Sequence, residues 1–87
     1  MRKLTWPQSQ SDWEKLAAAI VKANLNLADM SYIDLEHELA EMGISDHHKN
    51  ISAKLARGKF SAAFFLQALV CAGVEDLQLP ERPSAEA

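Results

Sequence analysis

Asp46–Ser61 reads DHHKNISAKLARGKFS and is a basic island: Lys49, Lys54, Arg57 and Lys59 stand against Asp46 alone, in a chain of formal net charge −3. Ser45 or Asp46 is suited to cap a helix, Ile51 and Leu55 lie one turn apart, and Gly58 follows Arg57 where a helix stop wants a left-handed residue. The pattern predicts a helix over about 46–57 with Ile51 and Leu55 facing inward. A period of 3.6 residues then turns Asp46, Lys49, Asn50, Ala53, Ala56 and Arg57 outward, with Ser52 and Lys54 on the flanks.

The same logic extends in both directions. Ser61 opens a fourth helix that ends at Ala72 before Gly73, and Phe60 can staple onto Phe65 across its first turn. Upstream, Ser31-Tyr-Ile-Asp34 caps a second helix of about 32–42, with Leu35, Leu39 and Met42 at i, i+4, i+7 and Gly43 as its stop. Ile44 and Val74, each just past a glycine, are placed to touch Leu39 and Leu69. Ser11-Asp-Trp-Glu14 has the form of a capping box, and Trp13, Leu16, Ala17, Ile20 and Val21 follow at helical spacing. A first helix is therefore expected from about residue 12 to the mid-20s, frayed by Asn24-Leu-Asn-Leu. No segment alternates with period two. The expected fold is all-α, a compact bundle of four to five helices.

At 87 residues the chain is expected to form one domain with a modest core. The division expected is an N-terminal arm over 1–10, the helical domain over 11–79, and a disordered tail over 80–87, where PERPSAEA is too polar to pack. Cys71 is the lone cysteine, no apolar run approaches the ~20 residues of a membrane span, and MRKLTWPQSQ lacks the apolar stretch of a signal peptide. These features suit a reducing cytoplasm. The sequence pI near 5.5 makes the summed field repulsive to nucleic acid and anionic lipid, so any such contact has to be local.

Two helices joined by a glycine-containing turn inside a small bundle have the layout of a helix-turn-helix, with 46–57 as its second, recognition helix. Lys49 and Arg57 suit guanine edges or phosphates, and Asn50 suits adenine. Ser52 flanks them. Lys54, Lys59 and Ser61 suit phosphates, the last at a helix N-terminus. Duplex DNA is the expected partner and transcriptional regulation the expected role. The competing expectation is a protein-interaction adaptor. Six acidic residues and no Lys or Arg lie between Asp29 and Asp46, a sign that a helix crossing a DNA backbone normally avoids. Arg2, Lys3 or Lys22 could balance them internally. The fourth helix has only Gln67 as a polar residue after its cap, which predicts a homodimer sharing Phe64, Phe65, Ala68 and Leu69.

Residues 13 to 74, with Gly43-Ile-Ser45, Ile51-Ser52 and Arg57-Gly58-Lys59, resemble the λ repressor/Cro-type helix-turn-helix domain. The run from Leu55 through RGKFSAAFFLQAL more closely resembles a family of small bacterial proteins catalogued only as a domain of unknown function. The first resemblance implies a compact, λ repressor-like DNA-binding fold; the second implies no activity. Gly43 stands two positions further from Ile51 than the repressor pattern has its turn glycine from the buried aliphatic. A different angle between helices 2 and 3 is therefore expected.

Catalytic chemistry is not expected. There is no glycine-rich phosphate loop and no Ser-His-Asp arrangement. His47 and His48, read as neighbours on a helix, point about 100° apart and do not share a metal simply. His37 and Glu41 supply two ligands at most. Cys71, on the apolar fourth helix, reads as an inert buried thiol. No metal or cofactor is expected, and Trp6 and Trp13 read as anchors of the arm and core.

Overall fold

The computed structural model describes residues 6–83, and over these the chain is all-α. Four helices follow one another: α1 Gln10–Leu27, α2 Tyr32–Glu41, α3 His48–Arg57 and α4 Ala62–Cys71. No strand occurs among the described residues. Backbone neighbours alternate around the bundle: α1 and α2 each lie against both α3 and α4. The centre is built from Val21, Leu35, Leu39, Ile51 and Leu55, all but fully buried, with Ala18, Leu25, Phe64, Ala68 and Leu69 around them. Fully burying a side chain of this size contributes about 1.5–3 kcal/mol. The expected inner faces of α2 and α3 are thus found, except that Met42 is largely exposed.

Ends of helices carry much of the specification. Ser31 accepts the Asp34 N–H at 3.0 Å while Asp34 accepts the Ser31 N–H at 2.9 Å, a complete capping box. After α2, the Gly43 N–H donates to the Ala40 carbonyl and the Ile44 N–H to the Leu39 carbonyl, and the same pair of bonds recurs after α4 through Gly73 and Val74. These are Schellman stops. Phe60 and Phe65 stack with ring centroids 6.4 Å apart, as the staple requires.

Helix α1 departs from its expected form in three ways. It is capped by Ser9, whose hydroxyl accepts the Asp12 N–H, rather than by Ser11. It does not fray at Asn24; the amide Nδ2 donates back to the Ile20 carbonyl at 2.8 Å and the helix continues to Leu27. It ends in a third Schellman stop in which Asp29 takes the left-handed position, φ +56°. Its buried residues are Ala18, Val21 and Leu25. Trp13 is 40% exposed and meets Trp6 edge to face at 5.2 Å, so the two indoles anchor the arm to α1 at the surface and not in the core.

The Gly58 stop is different in kind. With φ +70°, the residue is buried, and a Cβ there would stand 2.8 Å from the Glu14 carbonyl oxygen. The α3 terminus therefore touches the α1 backbone. Gly43 has a similar φ but open space around it. Gly58→Ala is expected to lower stability by about 2–4 kcal/mol and Gly43→Ala by about 1, the difference being the contact with α1. Urea denaturation of the two variants measures it.

Candidate functional site

The site is built on α3 and on the corner that leads into it. His47 is not part of the helix. It is the extended N-cap, and its Nδ1 accepts the Lys49 N–H at 3.1 Å. Glu36 reaches across from α2, and its Oε1 accepts both the His48 backbone N–H at 2.9 Å and the His48 Nδ1–H at 2.8 Å. The Asn50 and Ile51 N–H groups both turn to the His47 carbonyl. Of the N–H groups that a helix start leaves open, those of His48, Lys49 and Asn50 are therefore satisfied. The Glu36 carboxylate thus stands where the α3 N-terminus would draw an anion.

Asp46 and Lys54 form the second link. Lys54 Nζ lies 2.5 Å from Asp46 Oδ2 and 4.4 Å from the centroid of the Phe64 ring, and the Asp46 side chain is only 10% exposed. The lysine sets its ammonium over an aromatic face and spends its charge on a nearly enclosed carboxylate. Of the residues expected to meet nucleic acid, Lys54 is therefore turned to an internal task. Lys49, Asn50, Ser52, Arg57, Lys59 and Ser61 are exposed. Neither Lys49 nor Arg57 makes an ion pair among the described residues, and Lys59 approaches Glu14 loosely at 3.9 Å. Ser61 Oγ accepts the Phe64 N–H at 3.0 Å, which leaves its hydroxyl hydrogen free to donate.

The residues expected at a dimer interface fall elsewhere. Phe64, Ala68 and Leu69 are in the protomer's own core, and Phe65 is half-buried against Phe60. The correction follows from the flanking of α4 by α1 and α2, which covers the face holding those three residues. The large apolar side chains that α4 leaves to solvent are Leu66 and Val70, 58% and 61% exposed.

Helix α2 shows the opposite charge. Asp29, Asp34, Glu38 and Glu41 line, with His37, a shallow groove of about 400 Å³. Lys22 makes no ion pair with them among the described residues, and Arg2 and Lys3 lie outside those residues. Cys71 Sγ lies 3.5 Å from Met42 Sδ; burial, with a smaller effect of the Glu38 charge, pushes its thiol up from the ordinary value.

The sequence does not mark Glu36, His47 or Asp46 as the groups that tie α3 in place. Histidine is an uncommon cap, Glu36 acts at a distance of twelve residues, and the Asp46–Lys54 pair spans eight, which is not a spacing that one helix face makes evident.

The geometry defines a small all-α domain that exposes a cationic helix beside an acidic one. The profile of the family described as "Domain of unknown function (DUF6471)" matches residues 13–77, which take in most of α1 and all of α2 to α4, and the chain belongs to that family. No curated protein and no solved structure matches it significantly.

Hydrogen bonding from the His48 ring first, and then from its backbone N–H, holds the Glu36 carboxyl below its ordinary 4.5. A carboxyl with a lowered folded-state value stabilises the fold above its ordinary value, and that contribution is lost as pH falls through the folded one. Glu36→Gln is expected to lower the melting temperature at neutral pH and to flatten its fall below pH 4.5. Thermal melts from neutral pH to pH 3 or so, on both proteins, check this.

Proposed function

We propose that the chain is a small helix-turn-helix protein that binds duplex DNA through the outer face of α3 and acts in transcriptional regulation. The observation that carries this reading is the state of that face. Lys49 and Arg57 are exposed and unpaired among the described residues, and they stand eight residues apart, about 12 Å along the helix axis. Ala53 and Ala56 lie between them, so no bulky side chain holds the helix away from a groove of about 12 Å width. Asn50 and Ser52 add donors and acceptors on the same exposed surface. Lys59 and Ser61, beyond the α3 stop, suit the flanking phosphates.

In this reading α2 and its Gly43 corner are the first helix and turn, and Glu36 positions α3 without touching DNA. The reading requires the acidic groove of α2 to stay clear of the phosphates. A homodimer in a cytoplasmic setting belongs to the same reading, since two-fold sites on DNA are commonly met by paired chains, and Leu66 and Val70 supply the apolar surface.

The acidic groove of α2 favours one other reading, an adaptor that takes a cationic protein partner. The two differ in which charges matter. For a DNA reader, fluorescence anisotropy on random-sequence duplex gives log K falling linearly with log salt, about 0.9 per phosphate contacted. The double variant K49E/R57E is expected to weaken binding sharply and to reduce that slope by about 2. Lys54→Met is expected to lower stability and leave the slope unchanged, while E38Q/E41Q leaves DNA binding intact or improves it. A salt slope indifferent to Lys49 and Arg57 contradicts the DNA reading.

A further inference from the structure

The α2–α3 corner brings together three groups that no part of the DNA reading uses as ligands. One ring nitrogen from His47, one from His48 and one carboxylate oxygen of Glu36 lie within 4.8 Å of one another. The expectation that adjacent histidines diverge fails here because His47 is the extended cap and not a helical residue. Its ring instead stacks on that of His48, with centroids 4.2 Å apart and planes 29° from parallel. From this juxtaposition we infer that Glu36, His47 and His48 bind one borderline divalent transition ion, of the zinc class, and so tie α2 to the start of α3.

The donor set selects the ion. Two imidazoles and a carboxylate suit zinc, copper or nickel, whereas magnesium and calcium prefer oxygen ligands throughout. Glu36 Oε1 and His48 Nδ1 are 2.8 Å apart, and two tetrahedral ligands that each hold one ion at about 2.1 Å stand about 3.4 Å apart, so the pair has to open by only about 0.6 Å as the ion replaces the shared hydrogen. The hydrogen now shared between them has somewhere to go, since in the neutral ring it moves from Nδ1 to Nε2 as the ion takes its place. The lone pair of neutral His47 is on Nδ1, the atom that accepts the Lys49 N–H, and this N–H turns to water at an exposed helix end when the ring takes the ion. Glu36 and His48 are both about two-thirds covered and held side by side by the His48 backbone N–H, so the larger adjustment falls on the exposed His47 ring. No Lys or Arg pairs with Glu36 among the described residues, which leaves its charge to the ion.

The inference does not rest on DNA binding, because the ion joins two helices whatever α3 contacts. It is tested by isothermal titration calorimetry of the full chain, stripped with a chelator, against zinc chloride with magnesium chloride as control. One zinc per chain is expected, with no response to magnesium. His47→Asn removes the ring nitrogen but keeps a good N-cap residue, so it preserves the fold and is expected to weaken zinc at least tenfold or so. His48→Gln is expected to do the same, and His37→Gln to leave the affinity unchanged. Absence of zinc binding by the folded protein overturns the inference, as does zinc binding that survives H47N/H48Q or that is lost in H37Q.

Discussion

Helix α3 buries only two side chains completely, Ile51 and Leu55, and so its position depends on what holds its two ends. At the start, Glu36 from α2 accepts two N–H groups of His48, and the His47 cap satisfies the next three donors. At the end, Gly58 brings the chain against the Glu14 carbonyl of α1 so closely that no side chain fits between. One end is thus fixed to α2 and the other to α1. This arrangement lets a ten-residue helix, too short to persist alone in water, stand at the surface with one whole face exposed.

The charges are divided by the same geometry. An acidic chain gathers cations on one segment, but one of them, Lys54, is consumed by Asp46 and by the Phe64 ring, and stiffens the corner between α2 and α3. Among the described residues Lys49 and Arg57 are unpaired on the outer face, and Lys59 nearly so. The carboxylates of α2 occupy a groove of their own. A surface so divided carries a local positive potential in a molecule whose summed field is negative. Glu36 belongs to neither surface and acts through His48 to hold them in relation.

Much of this fold was legible in the residues because helix ends obey local rules. The Ser31 capping box, the Phe60–Phe65 staple and the left-handed stops at Gly43, Gly58 and Gly73 each need only neighbouring residues to specify them. What was not legible depended on contacts made at a distance. Ser9 and Ser11 both precede an acidic residue by three, and pairing of Trp6 with Trp13 goes with the earlier start. Asp29 replaces glycine at a left-handed stop, which a search for glycines passes over. Phe64, Ala68 and Leu69 read as a surface to be shared because α4 is apolar nearly all round; only the flanking of α4 by both α1 and α2 shows that the solvent face is Leu66 and Val70. For the site, the outward placing of Lys49, Asn50, Ala56 and Arg57 followed from periodicity, whereas Asp46, expected outward with them, is drawn in by Lys54, and that pair and the Glu36–His48 clasp are tertiary and left no periodic trace.

The most direct test of the central claim is a ¹H–¹⁵N correlation spectrum of the labelled chain titrated with a short random-sequence duplex at low salt. The account predicts that the largest shifts fall on the amides of Lys49, Asn50, Ser52, Ala53, Ala56 and Arg57, with lesser ones at Lys59 and Ser61, and that Asp34, Glu38 and Glu41 stay unmoved. Shifts absent throughout, or concentrated on α2, would contradict it.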